Sequence, residues 1–270
     1  MSKKKKSKTK KSKTKQKNIL FKSKTVKVPL KKKLSDIYNE INLETTCKGI
    51  CDCCKVAMPQ LNYCEFIQLL SEVWDTEDIG GKKNIIKQSV EYFFRHEFEK
   101  WGKESLTKPC MLLSEDGKCK YYTSRPLSCR MYGLWPEKEY NERVDKFEKA
   151  YEGLLTREEL PLHTQCPHVK RVDNSVELTT EVIQSLYYKL DDLDANMKMF
   201  SSAQINNKEN YRTFHDWFLF IFFGETWLIA MTDFIVRADL DMMKDQLEQI
   251  KIAIDNKYTA NNIPDLGISK

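Results

Sequence analysis

Hydrophobic positions recur at helical spacing along most of this chain. Leu34, Ile37, Tyr38, Ile41 and Leu43 predict a short amphipathic helix within residues 34–46. Asn62 stands three residues before Glu65, the signature of a capping box, and opens a helix from about 62 to 74 with Leu61, Phe66, Ile67, Leu70, Val73 and Trp74 as its apolar positions. Asp78 to Lys83, with Gly80-Gly81, reads as a loop. Ile85, Ile86, Val90, Phe93, Phe94, Phe98 and Trp101 then predict a strongly amphipathic helix over 83–101, with His96 at its surface. A charged helix is predicted over 137–155, carrying Tyr140, Val144, Phe147 and Tyr151 on one face. From about 176 the pattern gives four more helices, at about 178–199, 209–223, 225–236 and 239–256.

Two stretches break this rhythm. In the first, Ser114-Glu115-Asp116-Gly117 separates Cys110-Met-Leu-Leu113 from Lys118-Cys119-Lys-Tyr-Tyr122. Asp-Gly between two such runs predicts a β-hairpin that brings Cys110 and Cys119 together. The second is Trp217 to Phe223, which is apolar throughout. Gly224-Glu225 follows it and Asp233 interrupts the next apolar run. A span needs roughly 20 apolar residues, and a central acid costs about 2.5–3.5 kcal/mol on insertion scales. A buried helix, packed on its neighbours or on a second chain, is expected, and no transmembrane segment. The fold class expected is mainly α: a helical domain with a small β-hairpin and a cysteine-ligated metal centre.

Charge divides the chain. Residues 1–33 hold 16 lysines and no acid. Removing them from the 45 basic residues leaves 29 against 39 acids, a net of −10 for residues 34–270. The overall +6 therefore describes neither part. The expected organisation is a disordered Lys-rich tail at 1–33, a cysteine-cluster metal-binding domain at 34–172, and a helical region at 173–270 packed on it. The tail is a solubilising arm, or one that binds nucleic acid or an anionic surface in a salt-dependent way. It lacks arginine and interleaved aromatics, so base reading is not expected of it.

All nine cysteines fall between positions 47 and 166. Cys47, Cys51, Cys53 and Cys54 lie within eight residues. No apolar run near the start resembles a secretory signal, which points to the cytoplasm, where structural disulfides are rare and clustered thiols more often bind metal or do redox chemistry. The spacings match neither a Cys-x2-Cys zinc knuckle nor a ferredoxin run. Adjacent side chains tend to diverge, so Cys53 and Cys54 are expected to strain a single tetrahedral zinc. An iron–sulfur cluster, with ligand vectors spread over several irons, suits them better. Cys110, Cys119, Cys129 and Cys166 supply four further ligands. Arg125 and Arg130 flank Cys129 and are candidates to offset the charge of the centre and to donate to its sulfurs. Cys64 falls in a helix and reads as a buried thiol. His163 and His168 read as loop residues able to replace a missing ligand.

Thr46 to Lys55 with Pro59 and Glu65, then Cys110-Met-Leu-Leu, Gly117-Lys-Cys119-Lys-Tyr-Tyr122, Arg125-Pro-Leu127, Cys129-Arg130 and Cys166-Pro167, resemble the YkgJ-type cysteine-cluster family, whose hallmark is written CxxCxxCC. The resemblance covers roughly residues 45–170. It implies a zinc or iron–sulfur centre in a cytoplasmic protein. Here the gaps after the first two cysteines are three and one, so Cys51 is shifted by one residue from the hallmark. A related branch, the flagellin lysine N-methylases, resembles the cluster too. No glycine-rich S-adenosylmethionine loop accompanies it here, and the chain has only 9 glycines. A metal-binding protein of unassigned reaction is thus the leading expectation, ahead of a cluster-dependent modifying enzyme and of a partner-binding module built on the tail.

Overall fold

The computed structural model describes residues 27–40, 52–56, 58–96, 98–102, 109–153, 169, 178–197, 211–260 and 262–264. The expectations for residues 1–26, for Cys47, Cys51 and Cys166, and for His163 and His168 lie outside them. The architecture is mainly helical with one small sheet. In chain order it runs α1 (Lys27–Asn39), α2 (Asp52–Val56), β1 (Gln60–Asn62), α3 (Tyr63–Thr76), α4 (Ile79–Phe94), α5 (Phe98–Trp101), α6 (Leu127–Arg130), α7 (Glu137–Ala150), α8 (Thr180–Asn196), β2 (Tyr211–Thr213), α9 (Phe214–Phe223), α10 (Glu225–Arg237) and α11 (Leu240–Lys257).

The helix α3 lies between two cores. Its Tyr63, Phe66, Leu69, Leu70 and Val73 enter one core, which also draws on α4, α9 and α11. Cys64 enters a second core, built with Leu30 and Leu34 of α1, Leu127 and Met131, and Ile183, Leu186 and Leu190 of α8. Burying one such side chain contributes roughly 1.5–3 kcal/mol. Each core takes side chains from both sides of position 172. The first half of α9, through Leu219, is buried in the first core, while Phe220 to Phe223 stay partly exposed. Trp217 donates its indole N–H to the Leu61 carbonyl at 3.1 Å and meets Tyr63 edge-on at 5.1 Å, while Phe214 meets Phe66 at 5.3 Å. Positive-φ Gly224 ends α9, and α10 leaves at 118°. No single helix among the described residues is long and apolar enough to cross a membrane.

The sheet differs from expectation. β1 and β2 pair antiparallel, with Leu61 opposite Arg212, so the two strands lie far apart in sequence. At the expected hairpin, Asp116-Gly117 does turn the chain, with Gly117 at φ +76°, but the pairing reduces to a single bridge between Leu113 and Cys119. The Ser114 hydroxyl and backbone N–H both reach the Lys118 carbonyl, and the Lys120 N–H reaches the Leu112 carbonyl at 3.2 Å.

Helix α4 begins earlier than expected. Asp78 caps it by accepting from Gly81 N at 2.7 Å, so the two glycines form its first turn. A Cβ on Gly81 would sit 1.9 Å from a Glu77 carboxylate oxygen. Helix α1 likewise starts inside the Lys-rich tract, because Leu30, Leu34 and Ile37 make a buried stripe while Lys31, Lys32 and Lys33 stay exposed.

Candidate metal centre

Three short segments carry the described pocket thiols. Cys53 and Cys54 sit on α2, Cys110 and Cys119 flank the tight turn, and Cys129 sits on α6. The Cys110 N–H donates to the Cys54 carbonyl at 2.5 Å, which locks the first two segments together. All five cysteines line one pocket, closed by apolar and aromatic side chains including Leu69, Leu112 and Tyr121, with Arg125 at its edge.

One side of α3 holds the thiol-bearing segment in place. Glu65 accepts from Leu127 N at 2.6 Å, at the start of the helix that bears Cys129. Glu72 accepts from the Ser124 hydroxyl. Glu77, which ends the helix, accepts from the Tyr121 hydroxyl at 2.7 Å and from Lys120 at 3.0 Å. Three acids spaced seven and five residues apart thus grip residues 120–127. The clash that a Cβ on Gly81 would cause falls on the same Glu77 carboxylate.

The sulfurs influence one another. Cys53 Sγ and Cys54 Sγ lie 3.9 Å apart. The Cys54 thiol lies within hydrogen-bonding reach of the sulfurs of Cys110, Cys119 and Cys53, and these contacts, with burial, push its pKa far up. The Cys119 thiol is pulled down to about 7 by the bond from Cys54, by the Tyr121 N–H and by the Arg125 charge. Cys53 is lowered by Cys54 and Arg125 in the same way, whereas burial and the neighbouring Cys110 and Cys53 raise Cys129. The pocket therefore favours thiolates where Arg125 faces it. None of the six described cysteines is in a disulfide.

The expected divergence of Cys53 and Cys54 is not observed. With metal–sulfur bonds of about 2.3 Å, two ligands on one tetrahedral ion stand ~3.8 Å apart. The 3.9 Å between these sulfurs matches that edge. The helical turn of α2 folds the pair toward one side. Among the described residues, however, no three His, Cys, Asp or Glu side chains converge as a ready metal site. The donor set fits a soft metal by its chemistry: five thiols, lowered thiol pKa values and a guanidinium close by.

The two arginines take different places. Arg125 lines the pocket, donates through Nε to the Tyr122 carbonyl at 2.9 Å and stacks on the Tyr122 ring. Arg130 turns away. It donates to the carbonyls of Arg125 and Thr123 at 2.8 and 2.7 Å and lies over the Tyr38 ring at 4.4 Å. Cys64 is fully buried, as expected, and its thiol faces the Leu190 carbonyl at 3.7 Å, away from the pocket. His96 is exposed.

The sequence reading missed a knot of buried carboxylates under this site. Glu65 and Asp194 are 2% and 1% exposed. The Glu65 half of the capping box forms, with Asn62 N at 3.1 Å. The Asn62 side chain instead donates to Asp191 and Asp194, at 2.8 and 3.3 Å. Asp194 also accepts from Tyr63 N at 3.0 Å and Cys64 N at 2.6 Å, so α8 caps α3. A signal for Asp194 did exist: it continues the buried stripe Leu186, Leu190 at i+4.

Residues 46–150 match the family model described as CxxCxxCC, a putative zinc- or iron-chelating domain. No curated protein and no solved structure matches the chain.

Proposed function

We propose that this chain is a metal-binding protein whose centre is held by thiolates of Cys53, Cys54, Cys110, Cys119 and Cys129, with Cys47, Cys51 and Cys166 as the remaining candidate ligands. The observation that carries the reading is the meeting of five thiols from three separate segments in one apolar-walled pocket. The 3.9 Å approach of Cys53 and Cys54 supports ligands shared on a single tetrahedral ion, and so favours zinc over a cluster that gives each iron one cysteine. A bound zinc would supply structural cross-linking of the three segments, or Lewis acidity where a coordination position stays open.

The chain's own residues do the rest. Cys54 gives up the proton it now shares among its neighbours, Arg125 offsets the negative charge of the thiolates, and Leu69, Leu112 and Tyr121 exclude water. Anaerobic purification followed by metal analysis and a visible spectrum tests this. A colourless protein with stoichiometric zinc is expected. A coloured protein containing iron and sulfide replaces zinc with a cluster on the same thiols, and a protein without either metal refutes the reading.

A further inference from the structure

We infer that Glu65 is the positioning residue for Cys129, and that Tyr38 of α1 acts through it. The inference rests on the metal-centre reading and deepens it. Cys129 is the one pocket thiol carried on α6, a helix of a single turn, and so short a helix does not hold its own orientation. Its first N–H, at Leu127, is buried, and Glu65 is the acceptor that meets it at 2.6 Å. The same carboxylate accepts from Asn62 N and from the Tyr38 hydroxyl at 2.7 Å. Arg130, the residue after Cys129, stacks on the Tyr38 ring at 4.4 Å. The Cys129 turn is therefore clamped at both ends by one hydrogen-bonded pair, Tyr38 at its C-terminal end and Glu65 at its N-terminal end.

The pair also joins elements that are distant in sequence. Tyr38 sits on α1, whose first turns carry the last lysines of the Lys-rich tract, and Glu65 sits on α3. The groups facing Glu65 are Tyr38 from α1, Asn62 and Asp194 at the start of α3, and the Leu127 N–H from α6. Arg130, which lies over the Tyr38 ring, is the cation whose charge Glu65 feels among the described residues. Glu65 thus holds α6 by hydrogen-bond geometry. A glutamine cannot reproduce this, because its amide nitrogen would face an N–H donor at Asn62 or Leu127.

The test uses the full chain loaded with zinc anaerobically, with release to a chelator followed for wild type, E65Q, Y38F and the double variant. We expect release from E65Q about 10-fold or more faster, the usual cost of losing an outer-shell partner. Y38F should show a smaller acceleration, and the double variant no more than E65Q alone. Release from E65Q at the wild-type rate overturns the inference for Glu65, and additive effects in the double variant overturn it for Tyr38. The second measurement needs no metal: alkylation of Cys129 relative to Cys64 in the metal-free chain. It should rise in E65Q while the helical circular dichroism is unchanged, and unaltered Cys129 reactivity overturns the inference. If wild type takes up no metal, the metal-centre reading fails by itself and the alkylation result alone judges the positioning role.

Discussion

Two groups of buried polar atoms border the α6 turn, and they are finished to different degrees. At the start of α3, Glu65 and Asp194 accept hydrogen bonds from donors supplied by four elements, α1, β1, α3 and α6. In the pocket, Cys54 meets the sulfurs of Cys53, Cys110 and Cys119, with Cys53 at 3.9 Å. The two carboxylates of the knot take their donors from the protein itself, although the neighbouring Asn62 Oδ1 has no hydrogen-bond partner among the described residues. The thiol pocket is held by weak sulfur–sulfur contacts and a few backbone N–H groups, and on the proposed reading a metal would take up the capacity they leave. A satisfied buried network specifies architecture, and an unsatisfied one marks where a ligand belongs.

The sharpest break of this contrast is Cys54→Ser. Cys54 is the thiol that contacts Cys53, Cys110 and Cys119 together. Its hydroxyl replacement keeps a hydrogen-bond donor and loses the soft ligand. Complete loss of stoichiometric metal is expected, with the fold retained by circular dichroism. Metal content equal to wild type would place the centre elsewhere.

Asp194→Ala attacks the other side. It strands the Tyr63 and Cys64 N–H groups and the Asn62 amide inside the protein. Leaving several buried donors unmet costs roughly 3–5 kcal/mol. Denaturant unfolding should show a lower midpoint by that amount, and a change below 1 kcal/mol would mean that water reaches the start of α3 at little cost.

The carboxylate knot was half legible in the sequence, and the reasons are physical. Glu65 was visible as a capping residue because capping is local, set by a spacing of three. Its bonds to Tyr38 and Leu127 span 27 and 62 residues, and no local rule reaches that far. Three of the four helices of the last hundred residues were read to within about three residues of their ends, whereas the one expected from about 209 begins at Phe214, because residues 211–213 pair with β1 as a strand. The β1–β2 pairing was not read, because three-residue strands carry no alternation to detect. The clustering of the thiols was legible from count alone. The approach of Cys53 and Cys54 was not, since it depends on α2 adopting a helical turn at a site with no apolar period.

A pH series sharpens the comparison further. Burial raises Glu65 to about 7, against the three hydrogen bonds that favour its charge, and Asp194 is raised by burial too. A carboxyl that binds its proton more tightly in the folded chain stabilises the fold at low pH and loses that contribution as pH rises. The metal-free chain should therefore lose roughly 2 kcal/mol between pH 5 and pH 7 from Glu65 alone. In E65Q that slope should flatten to what Asp194 leaves. Stability that climbs over this range in wild type would show that Glu65 stays ionised throughout.

Cys64→Ala gives the smallest effect and the cleanest separation of the two regions. Cys64 is a thiol by chemistry but belongs to the carboxylate side by position: its N–H is bound by Asp194 and its sulfur faces Leu190. The substitution keeps the N–H bond and removes one buried sulfur, at a cost of about 1 kcal/mol. Metal stoichiometry and release rate should equal those of wild type. If the variant lost metal, the sulfur of Cys64 would reach the pocket by some rearrangement of α3, and the separation of the carboxylate knot from the thiol pocket would fail at that residue.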